Sequence, residues 1–115
     1  MNRFNLRGLQ ALALVTFVAA LSACSSTTDP AEAYPGQSPQ KIYAEGKLNL
    51  ENYDYSEATK HFEALDVQYP FDAQTENAQL YLVYTYYKKE EYALSIAAAE
   101  RYVRLHPTSP HADYA

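Results

Sequence analysis

Apolar residues in the second half of the chain recur with helical spacing, and the pattern occurs twice. The first copy has steps of three, four, three and five between its positions: Tyr55, Ala58, Phe62, Leu65 and Pro70. The second copy has the same steps and lies 37 residues later throughout: Tyr92, Ser95, Ala99, Tyr102 and Pro107. Steps of three and four place side chains on one face of a helix. Two copies at a fixed period predict a repeat protein built from helical hairpins.

Four helices and the beginning of a fifth are predicted along this repeat. Ser38 followed by Pro39 is a helix start signal, with the serine as N-cap and the proline in the first turn. The predicted spans are about residues 39–50, 56–68, 72–89 and 91–105, with Asp72 as the candidate cap of the third helix. Ser109 and Pro110 repeat the first start signal. We therefore expect a fifth helix to begin there, and the chain to be truncated within a third repeat.

Residues 80–87 allow a second interpretation. The segment LYLVYTYY is rich in aromatic and β-branched residues, and by propensity alone it favours a buried strand. We predict a helix, because the repeat register makes it the first helix of a hairpin and an isolated strand is not stable. A helix that is apolar on two faces is expected where one face packs and the other lines a groove.

The N-terminal region has the organisation of an export signal. Two arginines precede an apolar run over residues 9–21, which ends in small residues and the only cysteine, Cys24. The run is shorter than the roughly 20 residues of a membrane-spanning helix, and a buried free cysteine fits this position less well. Leu21 to Cys24 resembles a bacterial lipobox, which implies cleavage after residue 23 and acylation of Cys24. Ser25 at the next position would favour passage to the outer membrane.

Removal of residues 1–23 leaves a small acidic chain. It takes away two of the nine basic residues and none of the 14 acidic ones, so the net charge of the mature chain becomes −7. Such a charge argues against nucleic acid as the main partner. Residues 24–38 are rich in small residues and proline, without periodicity, and predict a lipidated flexible tether.

The repeat resembles the tetratricopeptide repeat, whose usual period is 34 residues. Leu82 and Tyr86 match that family's first-helix positions, and Gly46 fits its small-residue position. The chain departs from the tetratricopeptide pattern in two ways. Three extra residues lie within residues 71–75, and Glu45 and Asn49 occupy positions where the family usually has a leucine and a tyrosine. The implied fold is an all-α solenoid of helical hairpins. The repeats span residues 39–70 and 71–107, with 108–115 as the start of a third.

A closer resemblance combines the lipobox and the short tether with four sequence segments. These are EALD at 63–66, YPF at 69–71, YTYYK at 84–88 and RYVRLHPT at 101–108. Together they resemble the BamD (ComL) family, the lipoproteins of the outer-membrane β-barrel assembly machinery. The resemblance covers residues 1–115, although that family carries five repeats. It implies a scaffold at the periplasmic face of the outer membrane, with BamA, other lipoproteins of the machinery and unfolded outer-membrane proteins as partners.

Catalytic chemistry finds little support in the sequence. His61, His106 and His111 lack the spacing of a metal site and are interpreted as solvated or capping residues. There is no glycine-rich phosphate loop and no nucleophile motif, so we expect neither enzyme activity nor a cofactor.

The tetratricopeptide resemblance places one face of each first helix on the concave side. The residues so assigned form a candidate groove for a peptide or partner: Tyr43, Lys47, Leu50, Leu80, Tyr84, Tyr87 and Lys88. Aromatic residues supply contact area and lysines can pair with a carboxylate. The alternative is that these tyrosines only pack between helices. Two functional classes follow, a scaffold of the assembly machinery and a generic tetratricopeptide lipoprotein adaptor for other envelope proteins.

Overall fold

The described part of the structure, a computed structural model covering residues 28–115, is a row of helices. They are α1 (Pro39–Glu51), α2 (Tyr55–Gln68), α3 (Thr75–Lys88) and α4 (Tyr92–Leu105), followed by one 3₁₀ turn (Ala112–Tyr114). Each helix packs against the next along the chain, as in a solenoid of hairpins. Residues 80–87 lie inside α3, which confirms the helical interpretation over the strand. The predicted signal peptide and Cys24 lie outside the described residues.

The helix start signalled by Ser38 agrees with the structure, and the starts expected at Asp72 and Ser109 differ from it. The Ser38 hydroxyl accepts a hydrogen bond from the Lys41 N–H, and the Asp54 carboxylate accepts one from the Glu57 N–H. Asp72 does not cap α3, which begins three residues later at Thr75. Its carboxylate instead accepts from the Gln74 N–H at 2.9 Å and tightens the loop. After Ser109 the described chain forms a single 3₁₀ turn where a fifth α-helix was expected to begin.

The 37-residue repeat extends to the backbone of the hairpin turns. Tyr53 and Glu90, 37 residues apart, both have positive φ angles, of 61° and 62°. The next N–H in each turn, that of Asp54 or Glu91, donates at 2.9 Å to the carbonyl five residues earlier. This is the hydrogen bond of a Schellman motif, in which glycine is usual at the positive-φ position. Both hairpins are therefore closed by the same turn, formed without glycine.

The hydrophobic core lies where the first hairpin meets α3. Its fully or nearly fully buried members come from three helices: Ile42, Ala58, Phe62, Leu65, Ala78 and Leu82. Phe62 is stacked on Tyr81, with ring centroids 5.2 Å apart. Gly46 allows α1 and α2 to approach, since a Cβ added there would lie 2.8 Å from the Phe62 ring. Of the repeat positions in α2, Ala58, Phe62 and Leu65 are buried, whereas Tyr55 at its start is only partly buried. In α4 Ser95 and Tyr102 are buried and Tyr92 is 55% exposed.

The segment before α1 is docked on the first hairpin, contrary to the expectation of a flexible tether up to residue 38. We call residues 30–37 the N-terminal strap. The Gln68 side-chain amide donates to the carbonyls of Pro30 and Ala33, both at 2.7 Å, and the Tyr69 hydroxyl donates to the Gln37 carbonyl at 2.8 Å. The Tyr34 ring packs against the core cluster. Residues 30–37 of the expected tether are therefore held on the first hairpin.

His61 is a buried packing residue, so its interpretation as solvated or capping is wrong. Its ring is stacked on Tyr34, with centroids 4.1 Å apart. Nδ1 lies 2.9 Å from the Glu57 carbonyl oxygen and Nε2 lies 3.3 Å from the Glu45 carboxylate. Burial, followed by the charges of nearby glutamates, raises the pKa of Tyr34 to about 12. His61 therefore joins the strap to both helices of the first hairpin.

Candidate polypeptide-binding cleft

An open cleft of about 620 Å³ lies along one face of α3. That helix provides most of the wall through Leu80, Tyr81, Val83, Tyr84 and Tyr87. The remaining lining residues come from α1, α4 and the segment after α4: Leu50, Ser95, Tyr114 and Ala115. Positions 80, 83, 84 and 87 share one helical face, which explains why they line a single surface.

The two faces of α3 have different roles. On the packing side Leu82 is 5% exposed and Thr85 is fully buried. On the cleft side Tyr84 and Tyr87 are 46% and 59% exposed. The side chain of Tyr86 is turned to the core, where its hydroxyl donates to the Glu63 carboxylate at 2.5 Å. The apolar character of residues 80–87 therefore serves both a packed core and an open apolar surface.

The exposed cleft tyrosines are held by neighbouring aromatic rings. Tyr84 makes an edge-to-face contact with Tyr55, with centroids 6.1 Å apart and the planes at 77°. The ring centroids of Tyr87 and Tyr92 are 5.9 Å apart. Such pairs contribute about 0.5–1.5 kcal/mol beyond the area they bury. The aromatic surface is thus partly ordered before anything binds, which lowers the entropic cost of binding.

Two lysines lie at the margins of the cleft. Lys47 donates from Nζ to the Tyr81 hydroxyl at 3.1 Å, and this hydrogen bond raises the pKa of Lys47. Lys88 Nζ lies 5.5 Å from the centroid of the Tyr55 ring. Both ammonium groups therefore contact aromatic side chains of the cleft region. They can still offer N–H groups to a carboxylate.

Sequence reasoning located the central part of this cleft. Leu50, Leu80, Tyr84 and Tyr87 line it as assigned. Tyr43 does not line it and packs near Phe62, with ring centroids 6.2 Å apart. Lys47 and Lys88 also lie outside the lining.

Five lining residues were missed. Tyr81 and Val83 follow from the same helical spacing, and attention to both sides of the stripe would have found them. Ser95 is a position of the repeat and was not considered for the cleft, and no periodic signal points to Tyr114 and Ala115 at the end of the chain.

The groups that line the cleft suit the binding of an apolar partner. These groups are apolar or phenolic, and the hydroxyl of Ser95 already donates to the Val83 carbonyl at 2.8 Å. Among residues 28–115, no three histidine, cysteine, aspartate or glutamate side chains converge in a way that could hold a metal ion. Within the same residues, no helix has both the length and the apolar character needed to cross a membrane.

Comparison with known proteins identifies the family. The model of the YfiO family, described as outer membrane lipoprotein, matches residues 35–115. The chain belongs to this family. The YfiO match includes both hairpins and every residue that lines the cleft.

Individual relatives agree with this assignment. The outer membrane protein assembly factor BamD of Vibrio cholerae is 39% identical over 95% of the chain. The assembly factors of the same name from Neisseria gonorrhoeae and Pasteurella multocida are 38% and 33% identical, over 90% and 95% of the chain. The chain spans 42%, 40% and 40% of the length of these three relatives. The resemblance to the BamD family seen in the sequence is thereby confirmed.

Proposed function

We propose that this chain acts as a scaffold in the assembly of β-barrel proteins into the outer membrane. The proposal rests on membership of the YfiO outer membrane lipoprotein family and on relatives named outer membrane protein assembly factor. Family membership favours this function over a generic adaptor for other envelope proteins. The partners are BamA, other lipoproteins of the machinery and unfolded outer-membrane proteins. The role is one of binding rather than catalysis.

The proposed location is the periplasmic face of the outer membrane. A lipobox ending at Cys24, followed by Ser25, supports cleavage after residue 23 and acylation of the cysteine. More than one acyl chain gives stable anchoring, because each buried CH₂ contributes about 0.8 kcal/mol. The folded unit comprises repeats at 39–70 and 71–107, with 108–115 at the position of a third. The N-terminal strap joins this unit to the anchor.

The cleft on α3 is the proposed site for an extended, aromatic-rich segment of a barrel protein. The observation that carries this proposal is the pair Tyr84 and Tyr87, which are about half exposed on an apolar wall although the opposite face of α3 is packed. The cleft volume of about 620 Å³ is within the roughly 300–1,000 Å³ range of ligand sites. Lys47 and Lys88 at its margins suit the terminal carboxylate of such a segment.

A peptide-binding experiment tests the site. A labelled peptide with the aromatic C-terminal sequence of an outer-membrane barrel protein is titrated with the parent and with a Tyr84→Ala, Tyr87→Ala double variant. Loss of an aromatic anchor typically costs about 2 kcal/mol or more, so we expect at least about tenfold weaker binding. Tyr53→Ala is the matched control, because Tyr53 is 78% exposed, contacts Tyr55 and lies outside the cleft.

The binding result is interpreted only if circular dichroism shows that the double variant keeps the helicity of the parent. Equal affinity of parent and folded double variant would contradict the site and assign these tyrosines to packing. Lys88→Glu is expected to weaken binding further, most at low ionic strength where charges are least screened. Co-purification of the full-length lipoprotein with the barrel-forming subunit tests the assignment to the machinery separately.

A further inference from the structure

Most positive charges of this acidic chain are paired with a neighbouring carboxylate, and two of the exceptions lie at the cleft. All 14 acidic residues and seven of the nine basic ones fall within residues 28–115. Four of these seven form ion pairs with a carboxylate: Lys41, Lys60, Lys89 and Arg101. Within the same residues Lys47, Lys88 and Arg104 form no such pair, and the two lysines contact tyrosine rings. Both lysines are therefore open to a carboxylate from a ligand.

Lys47 is the lysine that the cleft itself holds in place. Its Nζ donates at 3.1 Å to the Tyr81 hydroxyl. Tyr81 lines the cleft and is stacked on Phe62, so the position of this hydroxyl is fixed by packing. Lys88 instead contacts Tyr55, which does not line the cleft, and Lys88 is exposed whereas Lys47 is partly buried. Lys47 therefore loses less conformational freedom on binding, and its charge is less screened by solvent.

Lys47 also marks one edge of the cleft. Leu50 on α1 and Tyr81 line this edge, whereas Tyr114, which follows α4, lines the other. One turn before Lys47, the ring of Tyr43 lies 6.3 Å from that of Tyr81 and is not part of the lining. The lining itself carries no charged side chain. A polypeptide that fills the cleft therefore crosses an apolar surface and meets a fixed positive charge at the α1 edge.

We propose that Lys47, positioned by the Tyr81 hydroxyl, binds the terminal carboxylate of the polypeptide in the cleft. The bound chain then ends at the α1 edge and runs across α3 towards Tyr114. The inference rests on the proposed function of the cleft and adds the polarity of its occupant. A chain end suits this edge because the apolar lining stops there. The N–H groups of Lys47 that are not used by Tyr81 form charge-assisted hydrogen bonds with the carboxylate.

A pair of peptides tests the role of Lys47. A tryptophan-free peptide with the aromatic C-terminal sequence of a barrel protein is made as the free acid and as the C-terminal amide, and binding is followed by fluorescence anisotropy. We expect the parent to bind the acid about tenfold more tightly, as is typical of hydrogen bonds to charged groups. Lys47→Met should abolish this preference and leave the affinity for the amide unchanged. Lys88→Met is the matched control and should retain the preference.

Tyr81→Phe tests the positioning of the ammonium group. It removes only the hydroxyl and keeps the ring that stacks on Phe62, so we expect a smaller preference for the acid although Lys47 is still present. Loss of packing alone would weaken the binding of both peptides alike, and circular dichroism checks the helicity of each variant. An undiminished preference in Lys47→Met contradicts the role of Lys47, and one in Tyr81→Phe contradicts the role of the hydroxyl.

Two outcomes separate this inference from the proposed function of the cleft. If the folded Tyr84→Ala, Tyr87→Ala variant binds both peptides as the parent does, the cleft and the inference are contradicted together. If that variant binds weakly but the parent does not distinguish acid from amide, the inference alone is contradicted. An amidated peptide that ends in glutamate should bind the parent like the plain amide. Binding as tight as that of the acid would contradict recognition of a chain end.

The polarity of the bound chain is tested with a fluorescent reporter at the other edge. The protein contains no tryptophan, so Tyr114→Trp introduces a single reporter there. The acid peptide carries a nitroxide quencher either on its N-terminal residue or on its penultimate residue. We expect stronger quenching from the N-terminal nitroxide. Equal quenching from both positions, or stronger quenching from the penultimate one, would contradict the polarity.

Discussion

Gly46→Ala should destabilise the fold although alanine is the better helix former. In an exposed helix interior this change would stabilise by about 1 kcal/mol. Here the new Cβ would lie 2.8 Å from Phe62 Cε1 and 3.0 Å from the His61 Cβ. Phe62 is fully buried and stacked on Tyr81, so its ring has no free direction in which to move. Overpacking costs about 1–3 kcal/mol, which leaves a net loss of up to about 2 kcal/mol.

Thermal and urea unfolding followed by circular dichroism measure this effect. A loss of 1 kcal/mol lowers the melting temperature of a domain of this size by about 4–8 °C. The same change in a Phe62→Leu background provides the control, because leucine lacks the ring atoms that the new methyl group meets. We expect a coupling of about 1 kcal/mol or more between the two sites. Stabilisation by Gly46→Ala, or additivity within about 0.5 kcal/mol, would refute close packing of α1 on α2.

Three further predictions concern the turn and two ionisable groups. Glu90→Gly should raise the free energy of unfolding by up to about 1 kcal/mol, as measured by urea unfolding, because φ at Glu90 is 62° and glycine adopts that region without strain. A lower free energy of unfolding would contradict the positive φ angle in this turn. The pKa of Tyr34 is raised from 10.0 to about 12, so its contribution to stability is complete below pH 10 and is lost as the pH rises towards 12. Tyr34→Phe should reduce the loss of stability at alkaline pH. An unchanged dependence of stability on pH would count against docking of the strap. Hydrogen bonds from Ser109 and Tyr102 lower the pKa of Glu76, so its contribution to the stability of the fold is present above pH 4.5 and is lost as the pH falls further. Ser109→Ala should reduce the loss of stability in acid. An unchanged acid sensitivity would argue against the contact between Ser109 and Glu76.

The repeat and the helices could be predicted from local patterns. Ser38 and Pro39 mark the first helix correctly, because capping depends on neighbours within one turn. The inward positions follow from helical spacing, as Phe62 and Leu65 show. Asp72 misled the prediction because the loop before α3 is longer than the usual repeat, and an aspartate can tighten a loop as readily as it caps a helix.

Docking of the N-terminal strap was not predictable from its composition. Residues 30–37 lack periodicity, and the partner of Tyr34 is His61, 27 residues later. Such contacts depend on the tertiary arrangement of α1 and α2. The cleft shows the same division, because helical spacing identifies the α3 wall whereas the position of Tyr114 beside it depends on how the chain turns after α4.

The central claim, that the α3 cleft receives a barrel polypeptide, is tested most directly by site-specific photo-crosslinking in cells. A photoreactive phenylalanine analogue replaces Tyr84 in the cleft or, as a control, Val67 on α2, which is 52% exposed and does not line the cleft. The account predicts adducts with newly made outer-membrane barrel proteins, identified by mass spectrometry, from position 84 and not from position 67. Absence of such adducts at position 84, or equal yields from both positions, would contradict it.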